Sequence, residues 1–381
     1  MHGIKRTRIS PQAAEAKRLK ELAKIEAYTA LQTDVLARKK TGEYTVEALG
    51  QTTELLDLNP EFYTIWNYRR HILLRGLFPG ASPEDIVARL TSELRLTTAY
   101  LQIHPKVYWI WNHRKWCLEN VPLGPAPGAA EASAGSAEGA EQAESSGAGV
   151  TSEASASASV SASASASAST SHPKTGREGW RNEFWKMELG LIEKMLDADA
   201  RNFHAWDYRR YVLRSLPHSF SPPHRPSDEL RYTQKKIEAN FSNFSAWHCR
   251  TKVLGGMWEG MAVEEVARQK DQEFELVTQA LWTDPGDQSG WLYHRWLVGS
   301  SPEEAVLRRE IGSIRELHET EPDSKWCMNA LAHYALLLAR SPTTQADELA
   351  KLRTEAKALY SRLETVDSDR AQRYRDMVAR C

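Results

Sequence analysis

Apolar residues recur every three or four positions along most of the chain, a period that predicts amphipathic helices. One stripe contains Ile86, Leu90, Leu94 and Leu101, which would share one face of a helix. No segment alternates apolar and polar residues as a half-buried strand does. The pattern therefore predicts an all-α protein. Outside the repeated segments described next, it predicts helices over Ala13–Lys40, Ala346–Arg362 and Asp369–Arg380.

Six similar segments, each centred on a tryptophan, follow one another along the chain. Successive tryptophans are separated by 45, 95, 41, 44 and 35 residues, and the longest interval contains a low-complexity insertion. Such a period indicates a repeat architecture. One helix pair cannot bury its own apolar stripe, so we predict about six antiparallel helix pairs stacked into a crescent-shaped α-α superhelix. The six residues, predicted to be buried structural wedges, are Trp66, Trp111, Trp206, Trp247, Trp291 and Trp326.

Three further positions recur around the tryptophan. We predict that an aromatic residue three positions earlier shares its buried face, and that a polar residue seven positions earlier caps the helix. An arginine three positions later is predicted to pair with carboxylates or helix ends of the next repeat. In the fifth copy this arginine is displaced by one position, to Arg295. The aromatic residues are Tyr63, Tyr108, Phe203 and Phe244; the arginines are Arg69, Arg114, Arg209 and Arg250; the polar residues are Asn59, His104, Asp199, Asn240 and Asp284.

The low-complexity insertion spans residues 121–178 and is dominated by Ala, Ser, Gly and Glu. A segment with so few large apolar residues cannot offset its ordering entropy, so we predict a disordered loop in an exposed turn. The chain is then one helical-repeat domain with an interruption. Residues 1–120 hold an N-terminal helix and repeats 1 and 2, and residues 179–381 hold repeats 3 to 6 and the C-terminal helices.

Composition narrows the class of protein. A net charge of −1 over 381 residues argues against a general nucleic-acid binder, and no apolar run is long enough to span a membrane. The basic N-terminus lacks the apolar core of a signal peptide, and four cysteines without paired spacing favour a reduced, cytoplasmic location. No phosphate loop, zinc-ligand spacing or nucleophile motif is present, so the chain alone is predicted to bind no metal or cofactor.

Lys106 breaks the repeat pattern. It stands five positions before Trp111, which places it in the predicted first turn of a helix. The helix dipole disfavours a cation there, and an anionic ligand held by the lysine and the helix end would remove the conflict.

The recurring segment N/H/D-P-x-x-Y/F-x-x-W-N/H/D-x-R resembles the α-subunit repeat of protein prenyltransferases. It covers five or six repeats over roughly residues 55–335. The resemblance implies a crescent of helix pairs wrapped around a β subunit that carries Zn²⁺ and an isoprenoid pocket. It also implies transfer of an isoprenoid from its diphosphate to a C-terminal cysteine thiolate. Lys106 would then contact the diphosphate, and Phe203 would lie near the substrate in place of the usual tyrosine.

Within that family, the start MHGIKRTR and the first two repeats are most similar to the Rab-specific, type II geranylgeranyltransferases. The implied partners are a β subunit, geranylgeranyl diphosphate and a Rab GTPase presented by its escort protein. The α subunit shared by farnesyltransferase and type I geranylgeranyltransferase is the alternative within the family, and a non-catalytic helical scaffold is the alternative outside it. His2 resembles the start of type II subunits, and we hypothesise that it occupies the open position on the β subunit's zinc.

Overall fold

The structure, a computed structural model, describes residues 10–123 and 179–381, and in these ranges the chain forms helices and no β-strand. The predicted all-α class is confirmed. His2 and the insertion from residue 124 onwards lie outside the described residues. The insertion was expected to begin at residue 121, but Val121 is buried and its carbonyl accepts a hydrogen bond from Nε of Arg181 at 3.0 Å. The packed part of the second repeat therefore extends at least to Val121.

The chain divides into two compact units, and the single interrupted repeat domain predicted from the sequence stays a prediction. The first unit contains Met1–Lys194 and Asp207–Ser221, and the second contains Met195–Trp206 and Pro222–Cys381. In a repeat protein each repeat contacts mainly its neighbours along the sequence, so contacts between distant repeats are few and the chain can be divided into units. The helices of the first part are α1 (Pro11–Thr41), α2 (Val46–Leu58), α3 (Tyr63–Ile72, followed by a π-helix over Leu73–Leu77), α4 (Pro83–Ile103) and α5 (Tyr108–Glu119). Helices α6 (Gly179–Ala198) and α7 (Phe203–Ser215) contribute residues to both units.

The remaining helices belong to the second unit. They pack as consecutive pairs, and the second helix of one pair also contacts the second helix of the next. The same arrangement joins α3 to α5 in the first unit. The helices are α8 (Pro226–Ala239), α9 (Phe244–Trp258), α10 (Val263–Thr283), α11 (Gln288–Val298), α12 (Glu304–Thr320), α13 (Lys325–Leu338), α14 (Ala346–Val366) and α15 (Ala371–Val378).

Local sequence explains where α4 and α1 begin. In α4, the hydroxyl of Ser82 accepts a hydrogen bond from the backbone N–H of Asp85, and Pro83 occupies the first turn without loss of a backbone bond. Helix α1 starts in the same way, with Ser10 followed by Pro11. It ends at Gly42, whose φ of 74° lies in the left-handed region that glycine adopts without strain.

Candidate functional site

The turn that precedes each tryptophan helix differs from the prediction. The polar residue seven positions before the tryptophan ends the preceding helix and does not cap the next one. Asn59 is the C-cap of α2, and its side-chain oxygen accepts the backbone N–H of Glu61 at 3.2 Å. Three residues then separate Asn59 from Tyr63, so the tryptophan helix starts three positions before its tryptophan. The equivalent residues Asp199, Asn240 and Asp284 accept a backbone N–H in the same way.

A hydrogen bond that the sequence did not reveal fixes the tryptophans to this turn. The indole N–H of Trp66 donates to the carbonyl of Pro60, six residues earlier, at 2.9 Å. The same bond links Trp111 to Pro105 at 3.0 Å and Trp291 to Pro285 at 3.0 Å. It removes the cost of burying an indole N–H, and it holds the turn against the helix. Trp206 and Trp247 form it with the carbonyls of Ala200 and Phe241.

Five of the six tryptophans lie in the core, each no more than 4% exposed. Trp326 differs from them, because it is only partly buried. Its indole N–H forms no hydrogen bond with any residue that the structure describes, and the guanidinium of Arg370 lies 5.7 Å from its ring. The structural role of all six stays a prediction.

The arginines of three repeats, Arg69, Arg114 and Arg250, each pair with a carboxylate of the next repeat, as the sequence predicted. Arg69 binds Glu93 through two N–H groups, from Nε at 2.6 Å and from Nη2 at 2.7 Å. The third nitrogen donates to the carbonyl of Leu49 at 3.0 Å and to two threonine hydroxyls of α2. Glu93 and Arg69 are 3% and 4% exposed, so the pair is shielded from water. Arg114 with Glu188 and Arg250 with Glu273 repeat this arrangement.

A third group completes these three carboxylate sites, and the sequence did not reveal it. The residue two positions after the tryptophan donates to the carboxylate that the previous repeat's arginine binds. The Tyr208 hydroxyl donates to Glu188 at 2.7 Å, and the Tyr293 hydroxyl donates to Glu273 at 2.6 Å. His113 takes the place of the tyrosine beside Glu93, and its Nε2 lies 2.8 Å from a carboxylate oxygen of Glu93. The side chains form a buried ladder that links consecutive repeats, which we call the arginine–glutamate ladder.

The fifth repeat changes the ladder. The sequence suggested that its arginine had moved to Arg295, but His294 occupies the ladder position. Its Nε2 lies 2.9 Å from Glu310 of the next repeat, and its Nδ1 lies 2.8 Å from the hydroxyl of Tyr334. Arg295, one position further along α11, lines a separate cleft that Glu310 does not line. The residue that contacts the next repeat's carboxylate is therefore the one three positions after the tryptophan, whether it is arginine or histidine.

Burial and pairing shift the pKa values of the ladder groups strongly. Burial alone would raise the pKa of Glu93, but the hydrogen bond from His113 and the charge of Arg69 outweigh it and hold the pKa at about 2. Burial lowers the pKa of His113 to about 4, against the opposing effect of Glu93. Nδ1 of His113 accepts a hydrogen bond from the N–H of Arg70 Nε at 3.3 Å, so the neutral ring carries its proton on Nε2 and donates it to Glu93. Buried ion-pair networks that only stabilise a fold also shift pKa values, so the shifts of Glu93 and His113 do not by themselves mark a functional site.

The aromatic residues three positions before the tryptophans are exposed, and the prediction that they share the buried face was wrong. Each is the first residue of its helix, where a side chain leans beyond the end of the helix and finds no preceding turn to cover it. Tyr63 is nevertheless in contact with α5, since its ring centroid lies 5.3 Å from that of Trp109. The exposed fractions are 53% for Tyr63, 51% for Tyr108, 66% for Phe203 and 47% for Phe244.

Lys106 lies in the turn between α4 and α5, two residues before α5 begins, and not within the helix as predicted. Its side chain is exposed. Two apolar neighbours are exposed as well: Ile103 at 72%, at the end of α4, and Tyr108 at 51%, at the start of α5. The turn between α2 and α3 repeats this with Leu58 and Tyr63, 62% and 53% exposed. Leu58, Tyr63, Ile103 and Tyr108 together form what we call the turn patch of the first unit.

The predicted site residues belong to different parts of the chain. Lys106 lies in the first unit, and Phe203 lies in the second, where its ring centroid is 4.0 Å from that of His204. Phe203 occupies the same position in its repeat that Tyr108 occupies beside Lys106. Over residues 10–123 and 179–381, no group of three His, Cys, Asp or Glu side chains is arranged to hold a metal ion. None of the described helices is both long and apolar enough to cross a membrane.

Comparison with known proteins agrees with this geometry. The protein prenyltransferase alpha subunit repeat matches residues 46–76, 90–121, 185–216, 226–257 and 270–301. Among solved structures, Candida albicans protein geranylgeranyltransferase-I complexed with GGPP aligns over 93% of this chain and 90% of its own, with a TM-score of 0.59 and 18% identity. The stacked helix pairs and the five matched repeats define the class as a prenyltransferase α-subunit repeat protein.

Curated relatives identify the branch. The geranylgeranyl transferase type-2 subunit alpha of Schizosaccharomyces pombe is 35% identical over 99% of this chain and 97% of its own length. That of Dictyostelium discoideum is 32% identical over 86% of each. The human relative of the same name is 31% identical over 81% of this chain, which spans 43% of that longer protein. The chain belongs to the family of geranylgeranyl transferase type-2 alpha subunits.

Proposed function

We propose that this chain is the α subunit of a heterodimeric protein geranylgeranyltransferase of type 2. The enzyme would transfer the geranylgeranyl group from geranylgeranyl diphosphate to C-terminal cysteine thiolates of Rab GTPases presented by an escort protein. The names of the relatives support the reaction class. Rab specificity and the escort protein rest on the sequence resemblance. All four cysteines are free thiols, which suits a reaction in the reducing cytoplasm.

The turn patch is the observation that carries the proposal. Four large apolar side chains, each more than half exposed, lie at two consecutive turns around an exposed lysine. Large apolar groups gathered on a surface are typical of a protein interface, where tyrosine is enriched. A partner subunit that covers the patch would bury these groups and would bring its own active site beside Lys106. The patch therefore supports docking of a β subunit along this side of the first unit.

Lys106 would act on the leaving group. As the thiolate attacks the isoprenoid, negative charge develops on the departing diphosphate, and a nearby ammonium group stabilises that charge. In the proposed enzyme a zinc ion bound by the β subunit would coordinate the substrate's cysteine and lower the pKa of its thiol, which favours the thiolate. Phe203 would contact substrate through its ring, since it lacks the hydroxyl that a tyrosine would offer. The chain is then active only together with its β subunit.

A reconstitution experiment tests the proposal. The chain would be co-expressed with the type 2 β subunit of its own species and assayed with geranylgeranyl diphosphate. We expect prenylation of a Rab GTPase in complex with its escort protein, and none of a short peptide ending in a CaaX sequence. Activity on the peptide with farnesyl diphosphate would favour the shared farnesyltransferase subunit. Transfer by the purified chain without any β subunit, or no stable heterodimer at all, would contradict the proposal.

A further inference from the structure

A cleft in the second unit collects positive charge that nothing described so far uses. It has a volume of about 190 Å³ and lies between α11, α13, α14 and α15. Three arginines line it: Arg295 from α11, Arg340 just beyond α13 and Arg373 from α15. They come from three separate helical segments that the fold brings together, so the sequence gives no sign of the cluster.

The three guanidinium groups lack acidic partners. Within residues 10–123 and 179–381, none of them forms an ion pair or a side-chain hydrogen bond. Other arginines of this unit are paired, as Arg315 of α12 is with Glu355 and Arg375 of α15 is with Glu364. Three like charges around one cleft repel each other, and an anion placed between them would remove this repulsion and accept their hydrogen bonds.

A buried tyrosine provides an independent indication of a ligand. Tyr360 of α14 lines the cleft and is 2% exposed, yet its hydroxyl has no hydrogen-bond partner among the described residues. The ring of Tyr360 is enclosed by the protein, whereas its hydroxyl is not among the fully buried polar atoms that lack a partner, so its donor is open to a molecule in the cleft. An oxyanion in the cleft would accept this hydrogen bond. The side-chain amide of Asn329 and the ring of His333 complete the polar lining.

We propose that the cleft formed by Arg295, Arg340, Arg373 and Tyr360 binds a phosphate-type dianion. Three positive charges, carried by exposed arginines around the cleft, and a neutral hydroxyl donor match a compact group with two negative charges and three or more acceptor oxygens. Guanidinium groups bind phosphate and carboxylate oxygens in planar, two-bond geometry, and phosphate offers the higher charge. The ligand is inorganic phosphate or the phosphoryl group of a small phosphate monoester. The site is independent of Lys106 and of the proposed transfer reaction.

His333 reports on occupancy of the cleft. Burial lowers its pKa to about 4, and the charges of Arg295, Arg340 and Arg373 add to this effect. The ring is therefore neutral near pH 7. A bound dianion offsets the three arginines and raises the pKa of His333. By linkage, a dianion whose own charge is constant binds more tightly as the pH falls from 7 towards 5.

Titration of the full-length chain with sulfate tests the proposal, because sulfate remains a dianion from pH 4 to pH 8. Binding would be measured by calorimetry, and the pKa of His333 by NMR, with its resonance assigned from His333→Asn. We expect saturable binding, a higher pKa of His333 in sulfate, and tighter binding at pH 5 than at pH 7. Inorganic phosphate and glycerol phosphate at pH 7 form two further arms. Binding of either supports the site, and the tighter one identifies the form of the ligand.

Variants make the test specific. Arg373→Gln and Arg295→Gln remove one charge each and should weaken sulfate binding roughly 10-fold or more. Tyr360→Phe keeps the buried ring, removes only the hydroxyl, and should weaken binding roughly 2- to 10-fold. Arg268→Gln removes an exposed charge of α10 that does not line the cleft, and should have no effect. Absence of saturable binding, an unchanged pKa of His333, or equal weakening by Arg268→Gln would overturn the proposal.

Discussion

Arg69 loses its water shell when α3 packs against α4, and its N–H donors must then find acceptors within the protein. Glu93, a backbone carbonyl and two threonine hydroxyls supply them. A buried ion pair of this kind adds little net stability over an apolar pair, because desolvation offsets the attraction. The pair instead fixes position, because Glu93 can accept both N–H groups of the Arg69 guanidinium in only one stacking of the two helix pairs. The ladder would therefore set the register between neighbouring repeats.

Breaking one rung of the ladder should be costly. Glu93→Ala leaves Arg69 buried without its carboxylate, and we expect a loss of roughly 3–5 kcal/mol in the free energy of unfolding. Glu355→Ala is the matched control, because Glu355 pairs with Arg315 at the surface, and such pairs contribute about 0–1 kcal/mol. Urea unfolding followed by circular dichroism measures both. Equal, small losses would show that the buried pair does not hold the repeats together.

The tryptophans offer a second contrast within one motif. Trp206 is 2% exposed and its indole N–H is hydrogen-bonded, so Trp206→Ala should lower stability by roughly 3–5 kcal/mol. Trp326 is partly exposed and lacks the indole bond, so Trp326→Ala should cost clearly less. Thermal melting of the two variants decides the point. Unchanged melting of Trp206→Ala combined with weaker substrate binding would argue for a ligand role instead.

Lys106 is best judged by the rate of the chemical step. In the reconstituted heterodimer, Lys106→Ala should slow a single turnover roughly 10- to 1000-fold, as expected for one lost donor to a developing charge. Binding of geranylgeranyl diphosphate should weaken less. Lys351→Ala, which removes another exposed lysine from α14, serves as the control. A single-turnover rate equal to that of the parent enzyme would leave Lys106 as an ordinary surface residue.

At the scale of helices, the periodic pattern predicted the elements well because apolar spacing reflects burial directly. The helix predicted over Ala13–Lys40 runs from Pro11 to Thr41, and the one over Ala346–Arg362 runs on to Val366. The starts of the tryptophan helices were placed several residues too early. Asn59 and its equivalents can serve a helix end, a turn or a helix start, and only the three-dimensional chain path distinguishes these uses.

The same limit explains what was missed at the candidate sites. Lys106 was singled out from the sequence because no other of the six similar copies has a lysine at this position. The exposure of Tyr63 and Tyr108 could not be read from helical spacing, because spacing gives the face of a residue but not whether a preceding turn covers it. Arg295, Arg340 and Arg373 are far apart along the chain, and only the packing of α11, α13 and α15 brings them to one cleft.

The turn patch should determine assembly. Replacing Tyr63 and Tyr108 together by Ser removes two large aromatic groups without touching the core, so the isolated chain should melt as before. The affinity for the β subunit should fall by roughly tenfold or more, as for loss of buried interface anchors. Val263→Ser is a suitable control, because Val263 is an exposed apolar residue at the start of α10. Phe78→Ser is not suitable, because the Phe78 ring stacks on Trp116. Unchanged affinity would place the partner elsewhere.

At the scale of the whole molecule, the buried titrating groups predict a loss of stability in acid. His113 has a pKa of about 4 in the folded state against 6.5 in an unfolded chain, so unfolding takes up a proton between these values. His333 is shifted in the same direction, also to about 4. Glu93 has a folded pKa of about 2 against 4.5, so its contribution is present above pH 4.5 and is lost as the pH falls further. All three shifts act with the same sign.

The free energy of unfolding should therefore fall as the pH is lowered from about 6.5 to 4, and fall further below 4.5 as Glu93 takes up its proton. The slope is about 1.4 kcal/mol per pH unit for each proton taken up. Urea unfolding at half-unit pH steps measures it, and the flatter range from pH 7 to 8 is the internal reference. His113→Gln removes one titrating group from the core, so its slope between pH 4 and 6.5 should be smaller by about one proton. Parallel curves for the parent chain and this variant would mean that His113 is not neutral in the folded protein, and that the rung it shares with Glu93 and Arg69 carries a different charge from the one assigned to it.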